Sequence, residues 1–167
     1  RHTRYIGDWS SDVCSSDLLS SGFTLTDPDD VSMASATVTI ASGLSTGDVL
    51  AAVTTGTNIT ASYSTVTGAL TLSGTDSVAN YQTVLRSVTY SSTSDDPTLS
   101  STTRTLSWKV VDANSDGAGA ATGSASTTLT VTPTADAPTL SAAASAAYTE
   151  NAAGTTLSSG FTLSDPD

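Results

Sequence analysis

The sequence predicts an all-β protein, a two-sheet antiparallel sandwich with one short helix near 77–87. Three observations predict it. Short stretches alternate apolar and polar residues with a period of two and carry Thr on the polar side. Gly, Ser, Asp and Pro separate these stretches at short intervals. Only 13% of residues are charged, so Ser, Thr and Gly must cover the surface, and these suit strands and turns better than helices.

FTLTD (23–27) is the first candidate strand. ATVTIA (36–41) places Ala36, Val38 and Ile40 on one face. NITASYS (58–64) does the same with Ile59, Ala61 and Tyr63, and GALTLSG (68–74) with Leu70 and Leu72. SVANYQTVLRSV (77–88) breaks the pattern. Its apolar residues Val78, Tyr81, Val84, Leu85 and Val88 are spaced at three and four, which predicts a short helix. Strands resume with VTYSS (88–92) and with TRTLSWKVVD (103–112), whose Leu106, Trp108 and Val110 share a face. STTLTVT (126–132) pairs Leu129 with Val131. About seven short strands bounded by turns suit a sandwich. Trp108 is expected in the core beside Tyr63 and Tyr90. Arg86, Arg104 and Lys109 are expected at solvated positions.

Acids outnumber bases 16 to 5, for a net charge of −11. Such a surface repels phosphate backbones and excludes nucleic acid as an expected partner. No apolar run is long enough to cross a bilayer. Fifteen of the acids are Asp and only Glu150 is Glu, a bias that favours turns, caps and metal loops over helix surfaces. A single Cys rules out an internal disulfide framework.

LSSGFTLTDPD (19–29) returns as LSSGFTLSDPD (157–167), with ten of eleven positions identical at an offset of 138 residues. Such a period indicates tandem domains. TPTADAPTL (132–140) reads as the semi-rigid connection between them. The expected organisation is 19–135 as one repeat lacking its first strand, and 136–167 as linker plus the start of the next. Residues 8–18, DWSSDVCSSDL, do not resemble their counterpart AAYTENAAGTT (146–156). They resemble the in-frame translation of a common short-read sequencing adapter. Residues 1–18 are therefore expected to be an artefact, irregular and outside the fold, which removes His2, Trp9 and Cys14 from the candidate sites.

The chemistry is expected where acids meet predicted strand ends. Asp27-Pro28-Asp29 closes one strand and Asp165-Pro166-Asp167 repeats it. Residues two apart on an extended chain share a face, and paired carboxylates repel unless a proton or cation lies between them. Calcium, with its flexible all-oxygen coordination, suits this pattern. An Asp-Pro surface turn is the plainer alternative. DANSDG (112–117) opens like an EF-hand loop, but Gly123 stands where the bidentate acid is needed, so an EF-hand is rejected. Asp112 stays a ligand candidate. Asn114 and Asp116 read as turn residues, and Asp95-Asp96-Pro97 as a structural turn. With no nucleophile–base pair outside 1–18, an enzyme is not expected.

AYTENA (147–152), LSSGFTLSDPD, ASATVTIA (34–41), TGALTLSG (67–74), YQTVLRSVTY (81–90), TRTLSWKVVD and ADAPTL (135–140) occur in an order that resembles the cadherin-like tandem repeats of large bacterial surface adhesins. The resemblance spans 19–167. It implies an immunoglobulin-like sandwich that binds calcium where consecutive repeats meet. By position, Asp136 resembles the linker acid and Glu150 the acid of the first strand. Asp27, Asp29, Asp165 and Asp167 match the D-x-D after the second strand, and Asp112 the acid before the final hairpin. The linker departs from the pattern by keeping a single Asp. The expected function is a calcium-stiffened structural or adhesive repeat of an extracellular adhesin. Expected partners are neighbouring repeats of the same chain, with a cell-surface protein or glycan as a further candidate. A metal-free spacer and a carbohydrate-binding module are the alternatives.

Overall fold

The computed structural model describes residues 17–19 and 22–165. In chain order the elements are β1 (Asp17–Leu18), β2 (Ser32–Ser42), β3 (Asp48–Ala51), β4 (Thr60–Ser64) and β5 (Ala69–Ser77). There follow α1 (Val78–Arg86), β6 (Thr89–Ser92), β7 (Thr103–Asp112), β8 (Thr122–Thr130), β9 (Thr139–Ser141) and β10 (Thr162–Ser164). The fold is all-β and sandwich-like, and every strand pair is antiparallel.

The main sheet has the order β4-β5-β2-β7-β8 and the smaller one β1-β6-β3. Register explains the core. Val38 of β2 lies opposite Leu70 of β5 and Trp108 of β7, and Ala36 lies opposite Leu72 and Val110. Directly opposed residues point to the same face, so alternate residues of three strands build one apolar sheet surface. All six are buried. Leu50 of β3, Tyr90 of β6, Val88 and the Tyr81, Val84 and Leu85 side of α1 complete a single cluster against it. Trp108 is core as expected, with its indole Nε1 donating to Thr127 Oγ1 at 3.0 Å.

The helix starts where Ser77 Oγ accepts from the Asn80 N–H at 3.2 Å, an N-cap that satisfies one of the orphan donors of the first turn. Asp76 stands before it and accepts from Asn58 N, Ser77 N and Asn80 Nδ2, each at 2.7 Å. These donors, the Asn58 N–H foremost, hold its carboxyl below the ordinary range.

Four expectations change. Arg104 is not solvated: it is fully buried, with Nε donating to Asp48 Oδ2 at 2.6 Å. Its Nη1 and Nη2 donate to the carbonyls of Ser101 and Pro97 at 2.7 and 2.6 Å. Arg86 is likewise engaged, its Nε donating to the Phe23 carbonyl at 2.6 Å. FTLTD is not a strand. Two of its backbone groups meet side chains instead: the Phe23 carbonyl that Arg86 reaches, and the Leu25 N–H, which donates to Gln82 Oε1 at 2.9 Å. Within 1–18, Asp17 and Leu18 form β1 against Tyr90 and Thr89, because a ladder uses backbone groups that any sequence supplies. Residues 1–16 lie outside the described residues. Strand β3 carries too short an alternation to stand out in the sequence.

β9 and β10 pair with each other and, among the described residues, with no other strand. From 132 to 165 every residue but Ser158 is exposed, so this tail is loosely packed. Among the described residues, no helix is long and apolar enough to cross a membrane.

Candidate metal centre

β2 and β7 are antiparallel neighbours with Met33 opposite Asp112. The start of one and the end of the other therefore meet at the same end of the sheet. The Ala113 N–H donates to the Ser32 carbonyl at 3.0 Å and holds the two chains together there. This places Asp30, two residues before β2, beside Asp112, the last residue of β7.

Asp27 joins them by a turn. Its Oδ1 accepts from the N–H groups of Asp29 and Asp30 at 3.4 and 3.2 Å. This bends the chain around Pro28, in the manner of an Asx turn. Carboxylate oxygens of Asp27, Asp30 and Asp112 come within 4.8 Å of one another. Asp30 and Asp112 are buried, at 7% and 4% exposure, and Asp27 is half-buried.

Backbone donors aim the two buried carboxylates. Asp30 Oδ1 accepts from the N–H and hydroxyl of Ser115 and from Asp116 N at 3.3 Å. The Ser115 hydroxyl bond is the main cause holding the Asp30 carboxyl below its ordinary range, so it stays ionised at neutral pH. Asp112 Oδ1 accepts from Asn114 N at 2.8 Å and Oδ2 from Ala121 N at 2.5 Å. Loop 113–121 is shaped by Asn114, which adopts φ 51 and accepts from Gly119 N at 2.6 Å. Asp116 caps Ala118 N at 2.9 Å. Both act as turn residues. A cavity of about 190 Å³, lined in part by Asp27 and Asp112, opens beside the cluster.

Three carboxylates at this separation gather negative charge that a cation offsets. Each Asp112 oxygen accepts one hydrogen bond and keeps a second lone pair, while the bonds to Asp27 and Asp30 among the described residues all fall on Oδ1 and leave the Oδ2 lone pairs for an ion. The donor set is all oxygen, as hard divalent cations prefer. The cluster can hold a metal ion.

The structure thus groups Asp27 and Asp112, both expected, with Asp30, which was not. Asp29 is exposed. The Asp27 carboxylate beside it pushes its carboxyl above the ordinary range. The two-apart rule selected Asp29 because it assumes an extended chain. The turn replaces that geometry with one in which the fourth residue, Asp30, returns to the first. The doubled acid in DPDD was the available signal. Asp136, Glu150 and Asp165 are exposed in the tail and join no metal-competent group among the described residues. Asp167 lies outside the described residues.

Comparison with protein-family models, with curated proteins and with solved structures found no match.

Proposed function

We propose that this chain is a calcium-binding structural repeat of a secreted, cadherin-like surface adhesin, and that calcium stiffens it where successive repeats meet. The observation that carries the reading is the convergence of Asp27, Asp30 and Asp112 at one end of the sandwich. Calcium takes six to eight oxygens at roughly 2.3–2.6 Å, more than three carboxylates give at one oxygen each. Ligands from an adjoining repeat, and water, would complete the shell. The exposed acids Asp136 and Glu150 lie in the segment that leads into the next repeat and are the proposed contributors there. The role is mechanical: carboxylates repel without the ion, and shared ligation removes the repulsion.

The eleven-residue repeat supports a tandem array. The surface charge of −11 favours cations over nucleic acid. A carbohydrate-binding role fits poorly, because Trp108 and Tyr90 are buried at 2% and 8% exposure and the exposed aromatics Tyr148 and Phe161 lie outside the strands, on no sheet face. A metal-free spacer is favoured by one observation: backbone donors already satisfy Asp30 and Asp112.

Thermal unfolding in calcium and in chelator separates the two. At a calcium concentration 100 times Kd, binding stabilises by about 2.7 kcal/mol. For a chain of this length that raises the midpoint by roughly 5–10 °C. The double substitution Asp30→Asn/Asp112→Asn should abolish the shift. Identical midpoints with and without millimolar calcium would leave the metal-free spacer standing.

A further inference from the structure

The two copies of the eleven-residue segment have the same residues and different surroundings. In the first copy Leu19, Phe23 and Leu25 pack against the core, and the Phe23 ring lies 5.6 Å from that of Trp108. In the second, the equivalent Leu157, Phe161 and Leu163 are exposed by 74%, 53% and 66%. The second copy has a strand partner: Leu163 lies opposite Leu140, itself 64% exposed, in the β9–β10 ladder. The equivalent residues of the first copy, Thr24–Thr26, have no strand partner among the described residues.

Next to that segment the sandwich is open among the described residues. β8 faces inward with Gly123 and Ala125, which lie opposite Val110 and Trp108 in register, yet both are exposed. Two cavities of about 190 and 200 Å³ lie between Leu25 and this inner row. The residues 138 positions before Thr139-Leu140-Ser141 are Arg1-His2-Thr3, which lack the leucine.

We propose that β9 of one copy of this chain pairs with Thr24–Thr26 of a second copy, in the register its own β9–β10 ladder displays. Ser141 then lies opposite Thr24, Leu140 opposite Leu25 and Thr139 opposite Thr26. Opposed residues share a face, so Leu140 enters the opening beside Leu25, over Gly123 and Ala125. The contact is between unlike surfaces, a donor tail and an acceptor groove.

A second copy is the better occupant than the chain's own tail. Leu25 shares the first cavity with Val110, Asp112 and Gly123, at the start of β8. The tail leaves from the opposite end, after Thr130. An own-chain Thr139 would have to travel back along the whole strand, about 26 Å at the usual rise. The eight-residue connection between β8 and β9 covers that only near full extension, about 3.3–3.6 Å per residue.

The test uses the full chain in chelator, so that metal binding plays no part. Sedimentation velocity should show the average mass rising above that of the monomer with concentration. Leu140→Glu should weaken association by about tenfold or more without moving the thermal midpoint, since Leu140 is exposed in the isolated chain. In a Cys14→Ser background, chains carrying Thr26→Cys mixed with chains carrying Thr139→Cys should form a disulfide-linked pair. The off-register mixture of Thr26→Cys with Ser141→Cys should not. A monomer at every concentration overturns the proposal, as does association indifferent to Leu140→Glu. So does a Thr26→Cys/Thr139→Cys double variant that closes on itself, which would assign the groove to the chain's own tail.

Discussion

At the scale of single residues, Arg104, expected at a solvated position, forms a buried charge pair with Asp48. Arg104 Nη2 donates to Asp48 Oδ1 at 3.3 Å in addition to the Nε contact, and the Tyr90 hydroxyl donates to the same oxygen at 2.6 Å. The Ser45 N–H adds a bond at 2.9 Å. Removing one partner strands a buried charge, which costs about 3–5 kcal/mol. Arg104→Met should therefore lower the urea-unfolding free energy by that order, and Asp48→Leu/Arg104→Met together should lower it by less than Arg104→Met alone. Equal losses in the two variants would show that the pair does not act as a unit. Tyr90 adds an alkaline signature. Burial first, and then the bond to the Asp48 carboxylate, push its hydroxyl from 10.0 up to about 12. Folding favours the neutral phenol, so its contribution is intact below pH 10 and is lost as pH rises through about 12. Tyr90→Phe should flatten that part of the stability–pH curve, measured by denaturant unfolding at stepped pH.

At the scale of elements, local chemistry fixes the ends and register fixes the faces. Ser77→Ala should cost about 1 kcal/mol by leaving a helix donor without its cap, read from the denaturant midpoint at unchanged m-value. Gly74, inside β5, adopts φ 122, and a Cβ there would lie 2.3 Å from the Asn58 carbonyl oxygen. Gly74→Ala should cost more than the roughly 1–3 kcal/mol of a strained backbone position alone, because the obstructing atom is backbone and cannot step aside. A thermal midpoint within error of the parent would refute the close approach. The alternations at 36–41, 68–74 and 103–112 were legible because both neighbours of each strand are present and one face is buried. The alternation at 23–27 was equally clear, yet no ladder forms on it among the described residues, since a strand also needs a partner that periodicity cannot supply. β8 shows the reverse case: it has its ladder to β7, but Gly123 and Ala125 of its inner row are uncovered.

At the scale of the whole molecule, one sequence segment appears in two environments 138 residues apart. The first copy borders both the acidic cluster and the open groove. The second lies in a tail whose strands, among the described residues, pair only with each other. The proposed array joins these features: metal at the end where Asp27, Asp30 and Asp112 meet, and a donor strand reaching the neighbouring face. The two ideas separate experimentally. Calcium-dependent stability in a monomer supports the first without the second, and association in chelator supports the second without the first.

Composition, period two along the strands and the three-and-four spacing at 77–88 by themselves determined an antiparallel β protein, its short helix, its apolar rows and Trp108 in the core, because these depend on residues close together in the chain. They also placed Asp27 and Asp112 among the site candidates, since Asp at a strand end is a local signal. Only the tertiary structure decided that Asp30 replaces Asp29, because the β2–β7 register and the turn at Asp27 set which carboxylates meet. It alone decided that Arg104 is buried, because the partner that makes burial tolerable, Asp48, lies 56 residues away.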